Sequence, residues 1–341
     1  MTRPIWKFDF SVGGGANDDS GRMAVLGNGQ IAVTWLSSGQ ASVQVFNADG
    51  SAATGVVELA RYGNSEVLAL GNDRFVVFSG RYELSGQLFQ ANGSAVTTPF
   101  QMESNFIGQV DSAVLADGRF VATWVDGNDG GGSGIVAGIY NSDGSVSVAP
   151  FRVNLTVAQD QAAPRVVSLP GGGFYIAWGN TGATSGSSTV TGVEFSSTGQ
   201  KIGAEDLLAT NLTYPGDFTL APSGSGTMRL AWHSGAQTHI QTLNGDGSVA
   251  GPGRVLDASH EGVQNFSLPS GYTLQTRTVD TASGNFRTST ALGQMFDSNG
   301  YRLGEEFIVE TRTMERTRDS FGVSVQISGM EILADGRLAF A

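Results

Sequence analysis

The chain has 341 residues, of which 40% are hydrophobic and 15% are charged, so it can bury a core and is not disordered by composition. A formal net charge of -12 repels phosphate backbones and argues against nucleic acid as a partner, and without cysteine there is no disulfide or thiolate chemistry. No apolar run approaches the roughly 18 residues of a membrane span, so we expect no membrane insertion.

Short apolar runs separated by glycine-rich turns recur along the chain, which is typical of all-β proteins. Each unit contains an apolar strand, a turn, a second strand that often ends in Trp, and a third strand followed by a tight turn and a fourth strand. Asn-Gly, Asp-Gly and related turns favour hairpins because they tolerate positive φ. The glycines that mark the second hairpin are 43 to 55 residues apart, at Gly50, Gly93, Gly144, Gly199, Gly247 and Gly300.

The third unit, residues 117–154, shows this arrangement most clearly. We predict strands at residues 119–124, 135–140 and 151–154, with a glycine-rich loop at residues 126–134 between the first two. Four short antiparallel strands joined by hairpins make one blade of a β-propeller. The sequence therefore predicts a propeller.

The two ends of the chain look like parts of one further unit. Residues 7–12, KFDFSV, match a fourth strand such as residues 306–311, EFIVET, whereas residues 323–341 supply only a first and second strand. We therefore expect one domain, residues 1–341, that forms a seven-bladed propeller whose last blade is closed by the N-terminal strand at residues 5–12. Such closure removes free sheet edges. The alternative is a fragment of a longer array.

The motif LADGRFVATW, the loop DGNDGGGSG, and the segments IYNSDGS and FRVN resemble the tandem repeats of large, calcium-rich bacterial surface and type I-secreted (RTX-like) proteins. The resemblance spans almost the whole chain and is specific in the third unit. Other units depart from it, since Ser79 and Thr276 stand in place of the Trp. The resemblance implies an extracellular or cell-surface protein with a non-catalytic role in adhesion or binding, and it does not name a ligand. We expect the partner to be a glycan or another surface protein.

The glycine-rich loop is a candidate calcium site. Asp126, Asn128 and Asp129 supply side-chain oxygens, which hard cations prefer, and the glycines let backbone carbonyls turn inward. The loop lacks the spacing of an EF-hand. The alternative is an ordinary solvated loop at the tip of a blade, a common use of Asp, Asn and Gly.

Tryptophan recurs at the end of the second strand of four units, at Trp35, Trp124, Trp178 and Trp232. These side chains fit either a core between neighbouring blades or a set of platforms for sugar rings. We favour packing, because strand alternation places them on one repeated face.

The short sequence motifs of zinc and serine-hydrolase catalytic sites do not occur in this chain. His233 and His239 lack the spacing of a zinc site, and no Gly-x-Ser-x-Gly elbow is present. A glycosidase needs two carboxylates at a set separation, which the sequence cannot supply. We therefore expect no enzyme and a binding or adhesion module, with a structural subunit of a surface or viral appendage and a carbohydrate-active hydrolase as alternatives. The oligomeric state stays open.

Overall fold

A computed structural model describes residues 18–127, 129–184, 186–223, 226–235, 237–257, 264–267, 272–283, 286–297, 301–315, 330–332 and 338–340. The regular structure in these ranges is β-strand throughout. Within them, no helix has the length and apolar character needed to cross a membrane.

Twenty-four strands form six sheets of four consecutive strands each. Blade 1 contains β1 (Asp18–Val25), β2 (Ile31–Ser37), β3 (Gln40–Phe46) and β4 (Val57–Tyr62). Blade 2 contains β5 (Asn64–Leu70), β6 (Arg74–Gly80), β7 (Leu84–Gln90) and β8 (Phe100–Glu103). Blade 3 contains β9 (Phe106–Val114), β10 (Phe120–Asp126), β11 (Gly134–Tyr140) and β12 (Val146–Arg152).

The second half of the chain repeats the arrangement. Blade 4 contains β13 (Gln161–Ser168), β14 (Phe174–Asn180), β15 (Ser188–Phe195) and β16 (Lys201–Leu212). Blade 5 contains β17 (Phe218–Pro222), β18 (Thr227–Ser234), β19 (Gln237–Asn244) and β20 (Arg254–Asp257). Blade 6 contains β21 (Gln264–Ser267), β22 (Thr273–Ser283), β23 (Phe286–Phe296) and β24 (Arg302–Glu315).

The prediction of a β-propeller with four-stranded antiparallel blades is confirmed, but the prediction of seven blades is wrong. The described residues form six four-stranded blades, and the last unit contributes one hairpin, β25 (Met330–Ile332) and β26 (Leu338–Phe340). One hairpin cannot make a four-stranded blade. β25 contacts β1 of blade 1. The predicted closing strand, residues 5–12, lies outside the described residues, so no N-terminal closure is shown.

Hairpin turns fix the register within each blade. In the first and third blades the turn glycine, Gly50 or Gly144, has a φ of 86°, a conformation that L side chains rarely adopt. Ahead of the turn, an aromatic residue on the third strand stacks on an aromatic residue at or next to the start of the second strand. The pairs are Phe75 with Phe89, Phe120 with Tyr140, and Phe174 with Phe195. The aromatic-plus-turn marker of the sequence is thus a cross-strand contact.

The core lies between consecutive blades. One cluster joins β10 and β11 of blade 3 to β13 and β14 of blade 4, and similar clusters join blades 1 and 2, 2 and 3, and 4 and 5. The second strand is covered on both faces, so β10 and β14 are almost entirely buried. This explains why these strands are continuously apolar and do not alternate with polar residues.

Candidate active site

The first strand of each blade lies at the centre of the arrangement. β1 contacts β5, and the same contact recurs in order through β9, β13 and β17 to β21. These six strands are therefore the inner strands of the blades, in blade order around the propeller axis. Residues at the same register position on them occupy equivalent places in successive blades.

One register position on the inner strands is charged in four consecutive blades. It pairs with the residue before the Trp position of the second strand, as Arg22 does with Thr34 and Asp111 with Thr123. From blade 1 to blade 6 the residues at this position, which we call the axial ring, are Arg22, Glu66, Asp111, Arg165, Thr219 and Asn265.

Two carboxylates stand side by side in the axial ring, each with an arginine on its other side. Arg22 Nε lies 3.3 Å from Glu66 Oε2, and the Glu66 side chain is 21% exposed. On the opposite side, Asp111 Oδ2 accepts a hydrogen bond of 2.7 Å from the backbone N–H of Val166, next to Arg165. The order around the axis is therefore cation, anion, anion, cation.

The environment raises the pKa of both carboxyl groups. Burial raises the pKa of Glu66 to about 7, with a further increase from the charge of Asp111, against the opposing charges of Arg22 and Arg165. Burial also raises the pKa of Asp111, while Arg165 and the Val166 N–H lower it. Because the two groups affect each other, they titrate as a pair. A carboxyl group with a pKa near 7 can donate a proton at neutral pH.

A distortion of β13 sets the position of Arg165. The pairing of β13 with β14 shifts register between Ala162 and Arg165, and Ala163 has a φ of 52°. Gln109 accepts a hydrogen bond of 2.6 Å from the Ala163 N–H through Oε1. Gln109 and Asp111, both on β9, therefore hold the backbone of β13 within the distortion and just after it.

The predicted calcium residues lie away from the axial ring, in the β10–β11 loop of blade 3. Asp126 Oδ1 accepts a hydrogen bond of 2.9 Å from Asn105 Nδ2. The Asp129 side chain is fully buried, and its Oδ2 lies 3.2 Å from Arg152 Nη1 and 3.1 Å from Asn154 Nδ2. Asn128 lies outside the described residues. Asp129 thus forms an ion pair with Arg152, whereas Asp126 bonds to a different residue, Asn105.

The tryptophans pack between blades, as we favoured. Trp35, Trp124 and Trp178 are at most 3% exposed, which leaves no face for a sugar. Trp232 is partly buried and stacks on His239, with ring centroids 5.0 Å apart. His233 pairs in register with Thr238 and not with His239. In the described ranges, no three His, Asp or Glu side chains are grouped in a way that could hold a metal ion.

No protein-family model matches the chain, and no curated protein matches it. Solved structures do share its fold. The Dos1 propeller is similar with a TM-score of 0.54 and 10% identity, over 94% of this chain and 89% of that chain. A polysaccharide lyase, the PL25 ulvan lyase bound to -[GlcA(1-4)Rha3S]-, is similar with a TM-score of 0.52 and 8% identity, over 86% and 83% of the two chains.

A third similar structure, an α-L-arabinofuranosidase from Fusarium graminearum, has a TM-score of 0.49 and 10% identity, over 86% of this chain and 92% of that chain. At these identities the likeness shows the fold. The propeller part of our predicted resemblance is confirmed, whereas kinship with calcium-rich secreted repeats stays a prediction.

We predicted that the protein is not an enzyme, and this exclusion of enzymatic activity is wrong. The same fold occurs in a polysaccharide lyase, and the axial ring brings together two carboxylates that the search for local motifs missed. A signal was present in the sequence. In four successive units a charged residue occurs four positions before the last apolar residue ahead of the turn between the first and second strands, in RMAVL, EVLAL, DSAVL and RVVSL.

Proposed function

We propose that the protein is a glycoside hydrolase and that its active site is the axial ring. The observation that carries this proposal is the pair of neighbouring carboxylates, Glu66 and Asp111, one of which has a pKa of about 7. Most glycoside hydrolases use two carboxyl groups, one protonated and one ionised, on either side of the scissile bond. Different environments must keep their protonation states apart.

Burial raises the pKa of both carboxyl groups, but their hydrogen bonds differ. Asp111 accepts a hydrogen bond of 2.7 Å from the Val166 N–H, which favours its ionised form against the effect of burial. Glu66 accepts a longer one, 3.3 Å, from the Val67 N–H and forms an ion pair of 3.3 Å with Arg22. On the basis of the shorter hydrogen bond to Asp111, we assign Glu66 as the general acid, which gives its proton to the glycosidic oxygen as the bond to the anomeric carbon breaks.

Asp111 acts on the anomeric carbon. It either takes a proton from the water that attacks this carbon as the glycosidic bond breaks, or attacks the carbon itself to form a glycosyl ester, which water then hydrolyses with Glu66 as the base. The separation of the two carboxyl groups decides which route is followed. In both routes water supplies the hydroxyl group of the new reducing end. The anomeric configuration of the first product distinguishes the two routes.

The composition of the axial ring favours hydrolysis over β-elimination. Elimination needs a base that removes a proton next to a sugar carboxylate, and a group that neutralises that carboxylate. The six ring positions include arginines that can neutralise a carboxylate, but they contain no His, Lys or Tyr to act as that base, whereas they do supply an acid and a carboxylate. This is the pair that hydrolysis requires.

Incubation of the purified protein with a panel of polysaccharides tests the proposal. We expect new reducing ends without the ultraviolet absorbance of a conjugated double bond. Absorbance that grows with cleavage would assign a lyase instead. Failure to cleave neutral and acidic polysaccharides alike between pH 5 and pH 8 would reject the hydrolase.

We also propose an extracellular or cell-surface location, which is where polysaccharide substrates occur. The support is the resemblance of the repeats to those of secreted and surface proteins. A fractionation of the producing cells tests it, because a purely intracellular protein would contradict this location.

Calcium at the β10–β11 loop is a separate proposal. If it binds only the folded protein, a hundredfold excess over its dissociation constant stabilises the fold by about 2.7 kcal/mol. Because a cation would have to displace Arg152 from Asp129, we expect Asp126→Ala, and not Asp129→Ala, to remove the effect cleanly. Equal melting temperatures in chelator and in millimolar calcium would reject calcium binding.

A further inference from the structure

The two arginines of the axial ring differ in what they contact. Arg22 forms an ion pair with Glu66. Arg165 forms no ion pair with any residue in the described ranges. Its Nη1 donates a hydrogen bond of 2.9 Å to the carbonyl oxygen of Pro164, its own neighbour, and its guanidinium lies 5.9 Å from the centre of the Phe218 ring.

We propose that Arg165 is an anion-binding group for the substrate, so that the polysaccharide cleaved at the axial ring carries carboxylate or sulfate groups. This inference rests on the proposed hydrolase and names its substrate class. Arginine is suited to the task because its planar guanidinium can donate two parallel hydrogen bonds to a carboxylate or a sulfate.

The position of Arg165 fits a substituent on the sugar next to the scissile bond. Its guanidinium lies 5.9 Å from the centre of the Phe218 ring of β17 and forms no ion pair with Asp111, although its charge lowers the pKa of that carboxyl group. The anchoring of β13 by Gln109 and Asp111 fixes the backbone on which it is carried. Blades 2 to 4 of the axial ring would thus contain both the cleavage groups and the anion-binding group.

Because the chain as a whole is negatively charged, it can recognise an anionic polysaccharide only through short-range contacts with a cationic group. With a formal net charge of -12, the protein repels a polyanion at long range. Binding of an acidic polysaccharide therefore has to come from a specific cationic group. A neutral polysaccharide has only hydroxyl groups to offer, and hydrogen bonds between neutral groups are about half as strong as charge-assisted ones.

Binding can be measured separately from cleavage on the full chain with Glu66→Gln, in which turnover is expected to be about 10²–10⁴-fold slower. The probes are polygalacturonate for carboxylate, dextran sulfate for sulfate and dextran as the neutral polymer, titrated by calorimetry. We expect one of the two anionic polymers to bind and dextran to bind more weakly. Which one binds identifies the anion.

Substitution of Arg165 then tests the assigned residue. Arg165→Gln in the Glu66→Gln background should weaken binding of the anionic polymer by about ten- to a hundredfold, because a hydrogen bond to a charged group is lost. Arg165→Lys should retain part of the affinity. Arg254→Gln is the matched control, since Arg254 stacks on Tyr301 of blade 6 and lies outside the axial ring. Equal melting temperatures would show that each variant folds.

The outcomes separate this inference from the proposed hydrolase. Cleavage of dextran but of neither anionic polymer leaves the hydrolase standing and overturns the role of Arg165. Binding that depends on Arg165 without cleavage of any polymer supports the anion-binding group and overturns the hydrolase. An affinity unchanged by Arg165→Gln, or no binding of any polymer, overturns the inference.

Discussion

Glu66→Gln is expected to lower the rate of polysaccharide hydrolysis by about 10²–10⁴-fold, the usual contribution of a positioned general acid. The amide has nearly the shape of the carboxyl group but cannot give a proton to the leaving oxygen. Asp111→Asn should cause a loss of similar size, because it removes the ionised partner. Reducing-end assays on the wild-type protein and both variants measure these effects.

The pH profile separates a catalytic from a structural role for Glu66. The proposed acid must be protonated, and burial raises its pKa to about 7, so the wild-type rate should fall as the pH rises through about 7. The Glu66→Gln variant should lack this fall in its residual rate. Glu58→Gln serves as the control, because Glu58 is an exposed glutamate on the outer strand β4. A Glu66→Gln variant with full activity and an unchanged profile would remove Glu66 from the mechanism.

Most of the blade architecture was predictable because it depends on local chemistry. Glycine is needed where φ is positive, as at Gly50, and aromatic residues mark the cross-strand pair next to the turn. The predicted strands of blade 3 agree with β10 and β11 within one or two residues. The third predicted strand was placed late, since β12 already begins at Val146, and most of that strand is exposed and lacks an apolar signature.

The number of blades was less predictable, because it depends on how the first and last units pair across the whole molecule. The final unit has the sequence of two strands, and the structure gives it a single hairpin, β25–β26. A repeat count gives the number of sequence units. It does not determine which units complete a four-stranded sheet.

The axial ring was missed for a related reason. Glu66 and Asp111 lie one repeat apart, so a search for catalytic residues with short spacing does not pair them. On each strand alone, a charged residue before an apolar run indicates only a polar edge. The ring arises when the register of the six inner strands is compared, and the pKa shifts arise only from the burial that follows.

Trp124→Ala is expected to destabilise the fold by about 3–5 kcal/mol, as is usual when a large buried aromatic side chain is removed. Trp124 is fully buried in the cluster between blades 2 and 3, and its Nε1 donates a hydrogen bond of 3.2 Å to Glu103 Oε2. The substitution leaves both a cavity and a carboxylate without its partner. Chemical denaturation followed by fluorescence of the remaining tryptophans measures the change in the free energy of unfolding.

Trp232→Ala is the matched control, because it is the same substitution at the equivalent position of blade 5. Trp232 is only partly buried and stacks on His239, so much less apolar surface is lost and the destabilisation should be less than half as large. Equal losses for the two variants would contradict the assignment of Trp124 to the core between blades. A stable Trp124→Ala protein that no longer binds any polysaccharide would instead make Trp124 a sugar platform, and the packing interpretation of the repeated tryptophans would be wrong.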